Sequence, residues 1–160
     1  MQLYVALLTA KDIEALSPLP ALMINIYAIG ENLNIDSPLF SGVLVVLTLA
    51  LTGMAVRKAP YWRSLAAALA GSLLIALHVF RYDASFLLLP LWLVMFVSKI
   101  SFSRFAAFAL LVPIPYFIAI VGKPDGAVPP LAILVFLIAL ARESYLETRP
   151  EGSPVGEETA

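Results

Sequence analysis

Residues 37–56, SPLFSGVLVVLTLALTGMAV, carry no ionisable side chain. A run of that length matches the roughly 20 apolar residues with which a helix crosses about 30 Å of hydrocarbon. Further apolar runs follow at about 64–80, 84–98, 104–122 and 127–142. In lipid each backbone N–H and C=O must be paired within its own segment, so runs of this kind can only be helices. Composition agrees, with 61% hydrophobic and 13% charged residues. Ordinary soluble domains sit near one half and one quarter, and a soluble fold of this size could not bury so much apolar surface. The expected fold is all-α, a polytopic transmembrane helical bundle of about five spans with a truncated N-terminal helix and a short interfacial helix.

End signals divide the chain further. Ser37-Pro38 supplies an N-cap followed by proline at the first helical position. Ser17-Pro18 does the same for a stretch from Pro18 to Ile29, apolar at Leu19, Leu22, Met23, Ile26 and Ile29 and closed by Gly30. That stretch is too short to span, and reads as a helix in the membrane interface or re-entrant against the bundle. Residues 1–10, MQLYVALLTA, lack a basic n-region and a small-residue cleavage site, so they are not a signal peptide. They read as part of a helix whose beginning lies upstream. The expected organisation is a membrane domain over 1–142 (partial helix 1–10, external segment 11–36, five spans over 37–142) and a disordered tail over 143–160, which is polar and holds proline and glycine.

Lysine and arginine set the orientation. Arg57, Lys58, Arg63, Lys99, Arg104, Arg142 and Arg149 fall at one set of helix ends; the other set holds Lys11, Arg81 and Lys123. The basic side is cytoplasmic by the positive-inside rule, which makes the tail cytoplasmic in a cell (plasma) membrane protein and turns 11–36, 81–83 and 123–126 outward. Every acidic residue before the tail then lies outside.

A net charge of −1 gives no electrostatic footprint for nucleic acid. The absence of cysteine and the single histidine remove disulfides and thiolate chemistry and leave no ligand set for a transition metal. No phosphate loop, dinucleotide fingerprint or nucleophile elbow is present. The apolar runs hold small hydroxyls such as Thr48, Thr52 and Ser72 rather than mid-membrane charges, which disfavours a proton-coupled transporter.

Ionisable residues instead gather in HVFRYDASFLLLP, residues 78–90. His78 ends the expected 64–80 helix, on the face shared by Leu74, Gly71 and Ala67; this A-x-x-x-G face admits another helix closely and makes that helix central. An ionisable group at the hydrocarbon edge is a functional candidate, and a hydrogen-bonded interfacial histidine accounts for it as well. Asp83 serves either as the N-cap of a helix starting at Ala84 or as an external base or hydroxyl acceptor. Arg81 suits Asp83 or a lipid phosphate. Pro113 and Pro115 predict a kink in the 104–122 helix that opens a groove for a lipid chain or curves the helix. Asn25 is a candidate for a polar ligand, or for a helix end.

The segment 73–94, LLIALHVFRYDASFLLLPLWLV, resembles glycosyltransferase family 87, the polyprenol-phosphate-mannose-dependent α-mannosyltransferases. In these multi-pass membrane enzymes a late helix ends in an outward histidine, followed by an aromatic-aspartate pair and a leucine-rich helix with proline. His78, Tyr82, Asp83 and Pro90 follow that pattern, and residues 20–30, PALMINIYAIG, are similar to the short external segment before a long helix. The resemblance implies transfer of a sugar, mannose in that family, from a polyprenyl-phosphate donor on the extracytoplasmic face, with no cofactor. It makes His78 and Asp83 the catalytic candidates and Arg81, Tyr82 and Asn25 the substrate-binding ones. The family's usual catalytic acid sits in the first external loop, and neither Asp12 nor Glu14 carries a motif that makes it that base. The expectation is therefore a C-terminal part of a longer enzyme, with membrane lipids, the sugar donor and a missing N-terminal half or other membrane subunit as partners. The alternative expectation is a small non-catalytic membrane subunit or scaffold that docks through Ala67, Gly71 and Ser72.

Overall fold

The structure, a computed structural model, describes residues 23–148 except 36, 78, 80 and 120–122, and of Arg81 and Tyr82 the backbone alone. Every regular element among the described residues is helical. In chain order they are α1 (Ile26–Asn32), α2 (Pro38–Val56), α3 (Tyr61–Ile75), a 3-10 helix (Arg81–Leu87), α4 (Leu88–Val97), α5 (Ser101–Leu111), α6 (Ile114–Ile118), a second 3-10 turn (Asp125–Ala127) and α7 (Val128–Thr148).

α2 begins where its end signals put it. Pro38 is the first helical residue, and the Ser37 hydroxyl accepts a hydrogen bond from the Phe40 N–H at 3.4 Å. Of its side chains only Thr48 and Ala55 are buried; Leu39, Val43, Val46 and Leu49 stand exposed. α7 is the opposite case. It is apolar around its circumference, and such a helix belongs inside a bundle. It packs against α2, α3, α5 and α6 and buries Ile133, Phe136, Leu137 and Leu140.

α3 is also central, lying against α2, α4 and α7. Its small face is the reason. A Cβ on Gly71 would lie 3.3 Å from both Cβ and Cγ2 of Thr52, with Oγ1 closer still. The hydroxyl is held there because it donates to the Thr48 carbonyl at 2.8 Å, one turn back. Of the face expected to dock an outside partner, Gly71 thus lies against α2 of the same chain and Ala67 is wholly buried, while Ser72 is exposed.

Two helices, Pro38–Val56 and Asp125–Thr148, are long and apolar enough to cross a membrane. Tyr61–Ile75, Asp83–Val97 and Ser101–Leu111 are apolar but shorter; at 1.5 Å per residue the 15 residues of α3 rise about 22 Å. The remaining boundaries differ from expectation for local reasons. α3 stops at Ile75 rather than near 80, and Ala76 turns to an extended conformation. The 84–98 run opens as a 3-10 helix, so Asp83 sits in the first turn of that element rather than capping an α-helix at Ala84. The 104–122 run is broken rather than kinked: Val112, held extended (ψ 130°) before Pro113, ends α5, and α6 restarts beyond it. Of the stretch expected as a short helix from Pro18 to Ile29, residues 18–22 lie outside the described residues and 23–25 are not helical; α1, capped by Asn25, runs past Gly30, and Ile26, Ala28, Ile29, Gly30 and Asn32 are buried, so it is tucked against the other helices. At the C-terminal side, residues 143–148 continue α7 instead of joining the tail. Residues 1–22 and 149–160, where the partial helix and the rest of the tail are expected, lie outside the described residues.

Candidate functional site

The helices alternate in direction, which sorts the polar residues to two ends. At one end Ile24 N–H reaches the Val79 carbonyl at 3.0 Å, and Lys123 Nζ meets Glu31 Oε1 at 2.7 Å. Val79, of the 78–83 stretch, is thereby placed at this end. At the other end the C-termini of α2, α4 and α7 meet the N-terminus of α3, and the cations Arg57, Lys58, Arg63 and Lys99 collect.

Asn25 explains why α3 stops early. Its carboxamide oxygen accepts from Ala28 N–H at 3.0 Å, capping α1. Its nitrogen donates to the carbonyls of Ala76 and Leu77, each at 2.9 Å, groups that α3 leaves without a helical partner. The side chain is 0% exposed. Both ends of the amide are occupied by backbone, so Asn25, expected as a substrate contact, clamps two helix ends instead. His78 lies outside the described residues, as do the side chains of Arg81 and Tyr82. Asp83 is half-buried beside them.

The break at Pro113 has a consequence at this end. Between the 3-10 helix and α4 on one side and the α5–α6 corner on the other lies a groove of about 450 Å³. Ala84, Ser85, Leu88 and Leu91 form one wall; Leu110, Leu111, Pro113 and Tyr116 form the other. An unbroken helix would carry Tyr116 along the α5 axis; the restart lets the chain turn aside. The groove is mostly apolar, with Ser85 and Tyr116 as its polar-bearing side chains, and begins one residue after Asp83.

At the basic end is a cluster that the sequence did not disclose. Glu143, 1% exposed, accepts from the Ser98 hydroxyl at 2.9 and 2.8 Å through its two oxygens. Arg63, also 1% exposed, lies 3.8 Å from Glu143 and makes a 2.5 Å contact with the half-exposed Glu147. Its Nε and Nη1 make no hydrogen bond among the described residues. The Ser144 hydroxyl reaches the Arg57 carbonyl at 3.2 Å. These contacts join α2, α3, α4 and α7. Arg63 had counted as a loop cation and Glu143 as tail. The signal that could have found them is spacing: Phe136, Leu140, Glu143 and Glu147 recur at four, three and four residues, which sets two carboxylates on a core-facing stripe. A carboxylate in that position calls for a cation.

Compared with protein-family models, with curated proteins and with solved structures, the chain matches none.

Proposed function

We propose that the chain is a polytopic membrane protein of the cell membrane, with about five crossings and its C-terminus inside, that transfers a sugar, mannose by resemblance, from a polyprenyl-phosphate donor on the outer face. The observation that carries this reading is the mostly apolar groove at the α5–α6 corner, whose lining begins at Ala84, the residue after Asp83. A lipid-linked sugar needs that juxtaposition: a hydrocarbon slot for the chain and polar groups where the phosphate emerges. The exposed apolar surfaces of α2, α4 and α5 support a lipid setting, since soluble monomers rarely expose such continuous patches.

In this reading the C1–O bond to the polyprenyl phosphate breaks, and a new bond forms from C1 to an acceptor hydroxyl. The hydroxyl proton passes to a carboxylate base, which the resemblance puts in the first external loop. Arg81 would pair with the departing phosphate. His78 would contact that phosphate or the acceptor, Asp83 would orient His78 or the sugar, and Tyr82 would flank the sugar. Transfer of radiolabelled mannose from polyprenyl-phosphate mannose in membranes containing the chain tests it. His78→Ala and Asp83→Asn should each lower the rate, on the order of 10²-fold for an acid–base group, and Leu88→Trp, which fills the groove, should lower donor binding. Rates unchanged in both polar variants would remove the turn from the chemistry.

A second reading, a non-catalytic subunit, is favoured by one observation. α2 leaves Gly42, Val46, Ala50 and Gly53 exposed along one face, a small-residue stripe of the kind that neighbouring membrane helices approach. No mannose transfer by the wild-type chain, together with co-purification of a second membrane polypeptide, would select it.

A further inference from the structure

Another cavity lies apart from the groove at the α5–α6 corner. It has a volume of about 740 Å³ and is framed by α1, the 33–37 connection and the first turns of α2. Its two ends differ in chemistry. Towards α1 it is lined by Tyr27, Glu31, Ser37 and Ser41; towards the middle of α2 it is lined by Gly42 and Val46. A second apolar groove of about 430 Å³ shares Gly42 and Val46 and continues onto Leu39 and Val43, on the exposed face of α2.

Three observations say what fits. Glu31 lines the polar end, and Lys123 Nζ, outside the lining, lies 2.7 Å from Glu31 Oε1; both side chains are about half exposed (47% and 42%), so an ammonium stands beside the carboxylate at the rim of that end. The hydroxyls of Tyr27 and Ser41 make no hydrogen bond among the described residues. A Cβ on Gly42 would meet nothing within 4 Å, so there is open space at that point of the lining into which a larger side chain could extend. Gly30, nearby, has a different role: a Cβ there would lie 3.1 Å from the Ile35 carbonyl, so its smallness serves packing.

We propose that this cavity binds a zwitterionic phospholipid with a primary ammonium, a phosphoethanolamine head, with one acyl chain along α2. The ammonium donates to Glu31 and the phosphate accepts from Lys123, each taking the place of the other's protein partner. Both charges are then answered. A choline head has no N–H to donate, and a glycerol head offers only the negative charge, which would leave Glu31 facing a phosphate. The hydroxyls of Tyr27 and Ser41, without a hydrogen bond among the described residues, line the same polar end and can donate to the ester and phosphate oxygens. The proposal rests on the membrane setting of α2 and not on sugar transfer. Because its readout is lipid retention, its failure is distinct from a failure of the mannose assay.

The test is native mass spectrometry of the full chain, released from detergent in the presence of phosphatidylethanolamine, phosphatidylcholine or phosphatidylglycerol with matched acyl chains. The wild type should retain phosphatidylethanolamine at least tenfold better than the other two. Gly42→Leu, which has room for its Cβ and fills the cavity, should lose that retention by tenfold or more. The double variant Glu31→Gln/Lys123→Met alters a half-exposed pair and so leaves folding intact; it should retain the three lipids equally. Equal retention of the three lipids by the wild type overturns the proposal. So does undiminished phosphatidylethanolamine retention in Gly42→Leu, or a preference that survives in the double variant.

Discussion

Gly71 and Thr52 offer a double-mutant cycle whose sign is set by geometry. In a helix interior, Gly→Ala is stabilising by about 1 kcal/mol from propensity alone. At position 71 the added methyl would run into the Thr52 side chain, where Cβ and Cγ2 stand 3.3 Å away and Oγ1 nearer still. Thr52 cannot simply rotate aside, because its hydroxyl is bonded to the Thr48 carbonyl at 2.8 Å. Overpacking of this kind costs about 1–3 kcal/mol. The net effect of Gly71→Ala in the wild type is therefore a loss of up to about 2 kcal/mol, the difference between that cost and the propensity gain. In a Thr52→Ala background the Oγ1 and Cγ2 atoms are gone, and the same change should be neutral or stabilising by up to about 1 kcal/mol. The coupling between the two sites is then about 1–3 kcal/mol. Denaturant unfolding in detergent micelles, followed by helical circular dichroism, measures all four corners. If Gly71→Ala stabilises the wild type as much as it stabilises Thr52→Ala, the close approach of α2 and α3 at this point is refuted.

Arg63→Met strands the Glu143 carboxylate, 1% exposed, with the Ser98 hydroxyl as its remaining close partner; losing one member of a buried pair costs about 3–5 kcal/mol, and Arg63→Met/Glu143→Leu should recover most of it in the same unfolding assay. Asn25→Ala removes a cap worth about 1 kcal/mol and orphans two carbonyls at about 1–3 kcal/mol each. Hydrogen exchange at Ala28 should accelerate with it. Asn25→Asp keeps the oxygen that Ala28 needs but turns a second oxygen on the Ala76 and Leu77 carbonyls, so full rescue by Asp would refute the clamp.

What the sequence disclosed and what it hid divide along a physical line. α2 was legible because its determinants are local: a serine cap, a proline at the first position and an uninterrupted apolar run. The closeness of α3 to a neighbour was legible from Ala67 and Gly71 for the same reason. The end of α3 was not, since the group that draws Ala76 and Leu77 out of the helix is Asn25, 51 and 52 residues away. Nor was the depth of the break at Pro113, where the pre-proline restriction on Val112 compounds the lost N–H. Glu143 and Glu147 were hidden by averaging: a window rich in charge, proline and glycine looks like a tail, although the helical stripe through Phe136 and Leu140 runs on through both carboxylates. At the turn, His78, Tyr82 and Asp83 stand out by residue type alone, and composition has nothing to say about the slot that Leu88 and Tyr116 build beside them.

The position of α7 bears on how such a chain comes together as it leaves the ribosome. It is the last described helix to be synthesised, yet it is the one against which α2, α3, α5 and α6 rest. Until it arrives those helices have one another's edges but no shared centre, and the guanidinium of Arg63 has neither of its carboxylates. The basic end can close only after residues 143–147 have been made, since Glu143 and Glu147 supply both carboxylates that meet Arg63.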